Sequence, residues 1–336
     1  MSLVPFEGPP SRKWFCRGSA LLAFALIGVF APAITARQNL QPLVSTLMHG
    51  RHGAVIASNP ATGEILAVWN PVEAFDRIYP PGSTAKVVTS TAALEEGVIS
   101  PDERDFCHRV PELLGEAYHC SHPPPDGPFN LASALSNSCN YFFSALSLRL
   151  TSTQLEHWYA VFGFGSPVDG MGHGVAGQVR VGGTAREKAL AALGEQTVLV
   201  TPAQLLLAYS AIATRGPVFH LWRSSSSAKG PGQVAREIKL RPGTYELLNT
   251  GLLDCVQSGM GQGAAVPGIS VAGKTGTATA LDGTRTTHAW FVGYAPADKP
   301  KIAVVIFLER GTGARDAAPL AGKILRHYFS VRDQEK

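Results

Sequence analysis

The sequence predicts a mixed α/β (α+β) domain in which both chain ends supply strands to one antiparallel sheet, with helices flanking it and an all-helical lobe inserted between. Three observations predict it. Strand-like runs at 54–57 and 65–69 open the domain, others at 269–279, 288–295 and 301–308 close it, and the residues between read as helix and loop. At 336 residues, 45% hydrophobic and 16% charged, the chain can bury one large core or two modest ones.

The first segment is unlike the rest. Arg12, Lys13 and Arg17 precede an uncharged stretch from 18 to 36, the layout of a secretory signal or signal anchor. Residues 1–17 are therefore expected in the cytoplasm, 18–36 as a single-pass anchor in the inner (cytoplasmic) membrane, and the remainder in the periplasm. Small residues at Ala31, Ala33 and Ala36 leave cleavage and release open. Residues 37–50 are expected to be a linker, and 51–330 the folded domain.

Within that domain, Asn59-Pro60-Ala61-Thr62-Gly63 is turn chemistry and joins the first two strands as a hairpin. Pro80-Pro81-Gly82 interrupts the chain, and a helix is predicted over 83–96, closed by Gly97. Asn130 caps a helix with Leu131, Ala134 and Leu135 on one face, and further helices are predicted over 141–150, 185–193, 202–214 and 244–256. A turn at Asp282-Gly283 links two of the C-terminal strands, and Leu320, Ile324, Leu325 and Tyr328 form the apolar stripe of a last helix.

The net charge of +4 comes from scattered residues with no dense basic run, so no nucleic-acid partner is expected. Of five cysteines, Cys16 falls on the cytoplasmic side. Export predicts a Cys107–Cys120 disulfide across a short loop, with Cys139 and Cys255 as small buried residues. Zinc held by Cys107, His108, His119, Cys120 and His122 is the alternative, but adjacent Cys-His spacing is not a regular zinc pattern, so no metal is expected.

Ser83-Thr84-Ala85-Lys86 places a hydroxyl and an amine three residues apart on one face of a helix start. The helix N-terminus favours an alkoxide, and burial pushes Lys86 toward its neutral form, so the serine needs no histidine. The spacing alone is weak evidence, occurring about once by chance in a chain of this size. Ser226 and Lys229 share it in a Ser-rich loop, where no helix aligns them. A second element, Ser138-Cys139-Asn140, sits in a break between two apolar helices. A third, Lys274-Thr275-Gly276-Thr277, lies on a strand, where Lys supplies charge, the hydroxyls bind a carboxylate and Gly276 admits a substrate backbone.

In this order the three elements resemble the Ser-x-x-Lys, Ser-x-Asn and Lys-Thr-Gly set of penicillin-binding proteins and serine beta-lactamases. The flanks, Tyr79-Pro80-Pro81-Gly82 and His288-Ala289-Trp290-Phe291-Val292-Gly293 among them, resemble the class B transpeptidase domain. The resemblance implies a cofactor-independent D,D-transpeptidase or D,D-carboxypeptidase acting on D-Ala-D-Ala stem peptides of peptidoglycan and acylated by beta-lactams. Ser83 is then the nucleophile, Lys86 its base and Ser138 the proton relay, with Asn140 holding substrate backbone and the Lys86 side chain. Lys274 tunes the field, Thr275 and Thr277 grip the terminal carboxylate, and the N–H groups of Ser83 and Thr277 form the oxyanion hole.

Departures from the pattern are Gly194-Glu195-Gln196 where the family shows Gly-Gln-Gly, and Ala85 where an aromatic is common. Nothing in the chain resembles the family's long N-terminal pedestal or a glycosyltransferase domain. A beta-lactamase is the nearest rival, yet the closest string to its Glu-x-x-Leu-Asn, Glu246-Leu247-Leu248-Asn249, has the wrong spacing. A non-catalytic antibiotic sensor is the other, and no signalling domain is visible.

Overall fold

Leu40, Val44 and Met48 recur every four residues and are wholly buried along α1 (Gln41–Met48). The Gln41 side chain accepts from Val68 N–H at 3.1 Å and donates to its carbonyl at 2.8 Å. The expected linker at 37–50 is thus corrected: most of it is a docked helix, driven by its apolar stripe and by Pro42 in the first turn.

The computed structural model describes residues 2, 8, 39–171, 174–223 and 231–332. The expected anchor at 18–36 and the Ser226/Lys229 pair lie outside the described residues, as does the 1–17 segment but for residues 2 and 8. Among the described residues no helix is long and apolar enough to cross a membrane.

β1 (Gly53–Ser58) and β2 (Ile65–Trp69) pair as the expected hairpin, with Val55 opposite Trp69. α2 (Pro71–Phe75) leads to a 3₁₀ turn at Gly82–Ala85 that runs into α3 (Lys86–Glu95). The lobe follows as α4 (Leu131–Ser136), α5 (Asn140–Ser147), α6 (Ser152–Val161), β3 (Gln178–Val179), α7 (Ala185–Ala192), β4 (Val198–Leu199) and α8 (Pro202–Ala213). Four of its helices begin with reciprocal capping boxes, Asn130/Ser133, Thr151/Gln154, Thr184/Glu187 and Thr201/Gln204. Each cap contributes about 1 kcal/mol. The chain then forms β5 (Pro217–Phe219), β6 (Val234–Glu237) and α9 (Pro242–Gln257), and returns to the sheet as β7 (Ala272–Thr279), β8 (Thr287–Ala295) and β9 (Ile302–Leu308) before α10 (Ala318–Arg332).

The sheet order is β2-β1-β9-β8-β7, antiparallel throughout, so the two chain ends complete one sheet as the sequence predicted. All seven residues of β9 are buried because both faces are covered, which is why it reads as a continuous apolar run. Ile302, Val304 and Ile306 join one core with α1 and α10, whereas Ala303, Val305 and Phe307 join another with the helical lobe. All twelve residues of α8 are buried at the centre of the second core. β7 stands at the edge of the sheet beside the 3₁₀ turn, leaving one side of its backbone unpaired.

Candidate active site

The turn before Ser83 is held from three sides. Trp290 Nε1 donates to Pro80 O at 2.9 Å, Gly82 N–H to Gly194 O at 2.9 Å, and Thr84 Oγ1 to Pro81 O at 2.7 Å. Ser83 is left half-buried at the head of the helix formed by the 3₁₀ turn and α3. Gly276 has a different task from the expected one. A Cβ there would lie 2.8 Å from Pro81 O and 3.0 Å from Thr84 Cγ2, so the glycine lets β7 pack against the nucleophile turn rather than admitting substrate.

Lys86, one helical turn on, has no exposed surface. Its Nζ donates to Asn140 Oδ1 at 2.6 Å, to Ser138 O at 2.8 Å and to Ser138 Oγ at 3.3 Å. Burial, and then the charge of Lys274, push its ammonium down to about 7. Ser138 has φ +58°, a left-handed conformation costing a non-glycine residue about 1 to 3 kcal/mol, and this turns both its carbonyl and its hydroxyl toward Lys86. Asn140 opens α5 and donates through Nδ2 to Tyr118 O at 3.0 Å.

Lys274 is also fully buried, its ammonium pushed down by desolvation, and it donates to Thr275 O at 3.0 Å. Ser83, Ser138, Asn140, Thr275 and Thr277 line one cavity of about 490 Å³, with Lys86 and Lys274 behind its wall. Thr277 Oγ1 accepts from Gly313 N–H at 3.0 Å. The N–H of Ala280 pairs back into the hairpin at Thr286 O, so by alternation those of Thr277 and Thr279 face the free edge. The three sequence elements therefore converge on one cleft. Sequence reasoning missed Tyr118, Thr279, Thr312 and Arg315 on its walls, none of which lies in a motif. It flagged Glu195 only as a departure.

A sequence profile of the penicillin binding protein transpeptidase domain matches residues 53–326. The chain belongs to this family. It is 28% identical to the peptidoglycan D,D-transpeptidase MrdA of Acinetobacter baumannii, over 87% of this chain and 53% of that protein. It is 31% identical to the stage V sporulation protein D of Bacillus subtilis, over 81% of this chain and 48% of that protein. The chain thus spans about half the length of these relatives. Among solved structures, it resembles the D,D-transpeptidase domain of a peptidoglycan glycosyltransferase from Eggerthella lenta, with TM-score 0.75 and 26% identity over 88% of this chain and 82% of that one. It also resembles Pseudomonas aeruginosa PBP2 in complex with WCK 5153, with TM-score 0.74 and 26% identity over 85% and 76%.

In this transpeptidase domain the second motif is flanked by thiols. The expected Cys107–Cys120 disulfide is not formed: the sulfurs are 3.7 Å apart, against about 2.0 Å for a bond. Cys139, expected as a buried filler, brings its Sγ within 3.3 Å of Cys107 and 3.7 Å of Cys120, and His122 Nε2 lies 3.6 Å from Cys107 Sγ. The four ligand atoms all fall within 4.8 Å of one another. His108 and His119 stay outside this group and are exposed. With Nδ1–H donating to Pro123 O at 2.6 Å, His122 keeps its Nε2 lone pair toward the sulfurs. Hydrogen bonds from Cys139, His122 and Tyr141 N–H pull the Cys120 thiol down to about 3. Three thiols and an imidazole at this spacing fit a tetrahedral Zn²⁺, which corrects the expectation that these residues make no metal-type site.

Proposed function

We propose that the chain is a serine D,D-transpeptidase or D,D-carboxypeptidase that acts on D-Ala-D-Ala stem peptides of peptidoglycan and is acylated by beta-lactams. The observation that carries this is the buried Lys86 held against Ser138 and Asn140 with its ammonium at about 7, one turn from Ser83. In the neutral form Nζ takes the Ser83 hydroxyl proton as Oγ attacks the carbonyl carbon between the two D-alanines. The proton passes by way of Ser138 to the departing amine as the C–N bond breaks, and an amine acceptor or water later takes the acyl group from Ser83. The N–H groups of Ser83 and Thr277 stabilise the oxyanion, each such donor contributing about 3 to 4 kcal/mol. Thr275 and Thr277 bind the terminal carboxylate, with Lys274 adding positive field behind them. The relatives' names agree with this chemistry, since MrdA is called a peptidoglycan D,D-transpeptidase. A periplasmic site reached from a single-pass inner-membrane anchor is part of the same reading.

The beta-lactamase alternative needs a base that activates water beside the acyl ester. Glu195 does line the cavity, but its carboxylate accepts from Thr279 N–H at 3.3 Å, and the hydrogen bonds of Lys86 go to Ser138 and Asn140. A mass-spectrometric time course with a penicillin tests the proposal. One penicilloyl group should appear on the peptide containing Ser83; label elsewhere, or none, overturns it.

The thiol and imidazole donors support a structural Zn²⁺ on Cys107, Cys120, His122 and Cys139. Because Cys139 sits between Ser138 and Asn140, such a site would anchor the strained turn that presents both to Lys86.

A further inference from the structure

The mechanism leaves one buried carboxylate on the cavity wall without a task. Glu195 is 5% exposed and borders the same cavity as Ser83, Ser138 and Asn140. Its position is fixed relative to the nucleophile. Gly194 holds φ +74°, where a Cβ would lie 2.3 Å from Gly82 O, and Gln196 holds φ +55°. Glu195 N–H bonds to Leu190 O at 2.9 Å and Thr197 N–H to Glu195 O at 2.7 Å, so the turn cannot slide away from the Gly82–Ser83 peptide it touches.

The carboxylate lies at one end of the free edge of β7. An edge strand facing a cleft pairs with extended ligand backbone, and here its inward donors are the N–H groups of Thr277 and Thr279. Glu195 Oε2 already accepts from Thr279 N–H at 3.3 Å. A ligand running along β7 past Thr277 therefore meets a carboxylate where a sheet would continue. The charged groups around it differ in position: Lys86 faces it from α3, Thr279 from β7 and Tyr118 from the 107–122 loop, while His119 and Arg315 stand on other parts of the wall.

We infer that Glu195 sets the charge preference of the acylation site, favouring a donor peptide or beta-lactam that brings an N–H or ammonium group alongside Thr279 and disfavouring one that brings an anion there. The inference rests on acylation at Ser83. A desolvated carboxylate with unused acceptor capacity gains from each donor delivered to it, and a second anion in the same low-dielectric pocket meets repulsion that water no longer screens. Burial pushes the carboxyl up to about 7, against the Thr279 hydrogen bonds and the Lys86 charge that hold it down, so the ionised form is well populated at neutral pH.

The test uses the full chain in detergent and three penicillins on one nucleus, with benzyl, α-aminobenzyl and α-carboxybenzyl side chains, reading second-order acylation rates at pH 7.5. In the wild type the amino compound should acylate at least about tenfold faster than the carboxy compound, with the benzyl compound between. Glu195→Gln keeps an acceptor for Thr279 N–H but removes the charge, and should collapse that ratio to within about threefold. Equal wild-type rates for the two charged compounds overturn the inference whether or not the variant folds. So does an unchanged ratio in Glu195→Gln. Absence of acylation by the benzyl compound in the wild type is a different result, and it removes the Ser83 mechanism itself.

Discussion

Lys86 Nζ lies 2.6 Å from Asn140 Oδ1, a bond between two motifs fifty-four residues apart. Through it the helix that carries the nucleophile and the helix that carries the second motif share one buried amine. Asn140 is in turn tied to the 107–122 loop through Tyr118 O. The loop, the second motif and the base thus form one connected unit, and variants anywhere along it should register at Ser83.

Ser83→Ala should abolish labelling by a fluorescent penicillin, and Ser226→Ala should leave it intact. The two serines share their spacing to a lysine, but only Ser83 lines the cavity with the other two motifs. Equal gel labelling of wild type and Ser83→Ala would refute the assignment.

The two motif lysines should fail differently. Lys86→Ala removes the base and should reduce acylation by at least about a hundredfold. Lys274→Arg keeps the charge and should retain measurable acylation, although a larger group in a site with no exposed surface should lower the melting temperature. The pH profile follows from the depressed Lys86 ammonium: its neutral form grows as pH rises through about 7, so acylation should climb with pH there, flatten above, and fall about tenfold per unit below. A rate independent of pH between 5 and 9 would assign the base elsewhere.

Gly276→Ala should cost about 1 to 3 kcal/mol of stability and slow acylation, because the added methyl meets Pro81 O at 2.8 Å and Thr84 Cγ2 at 3.0 Å and pushes β7 off the nucleophile turn. Differential scanning fluorimetry alongside labelling checks it. A variant as stable and reactive as the wild type would show that the turn yields.

Purified protein should contain about one zinc per chain by elemental analysis, in the 1:1 ratio expected of a structural site. Stripping it with a chelator should lower the melting temperature and slow acylation, and Cys139→Ser should weaken metal retention. Protein free of metal yet equally stable, or a mapped Cys107–Cys120 disulfide, would return these residues to the reading the sequence suggested.

The penicilloyl adduct on Ser83 should persist for many minutes. The Glu195 carboxylate that shares the cavity is engaged with Thr279 N–H. Following adduct mass and antibiotic concentration over an hour, with and without bicarbonate, checks this. Several turnovers per minute would move the chain to the beta-lactamases.

Local signals in the sequence determined a good deal of this protein. Alternation and turn chemistry placed the terminal strands, Asn130 and Thr201 stood where helices begin, and three short motifs named the residues of the cleft. These features are written in contiguous residues, where backbone propensity and side-chain spacing act directly. The tertiary structure decided what depends on distance between segments. Gly276 reads as a site for substrate in isolation, but its neighbour is Pro81, almost two hundred residues earlier. Cys139 reads as a small apolar residue until the 107–122 loop sets two more sulfurs and His122 beside it. Glu195 reads as a misplaced charge until the edge of β7 brings Thr279 to it. In each case the partner comes from another element, so no pattern within one segment records the contact; packing of the sheet, the loop and the helical lobe creates it.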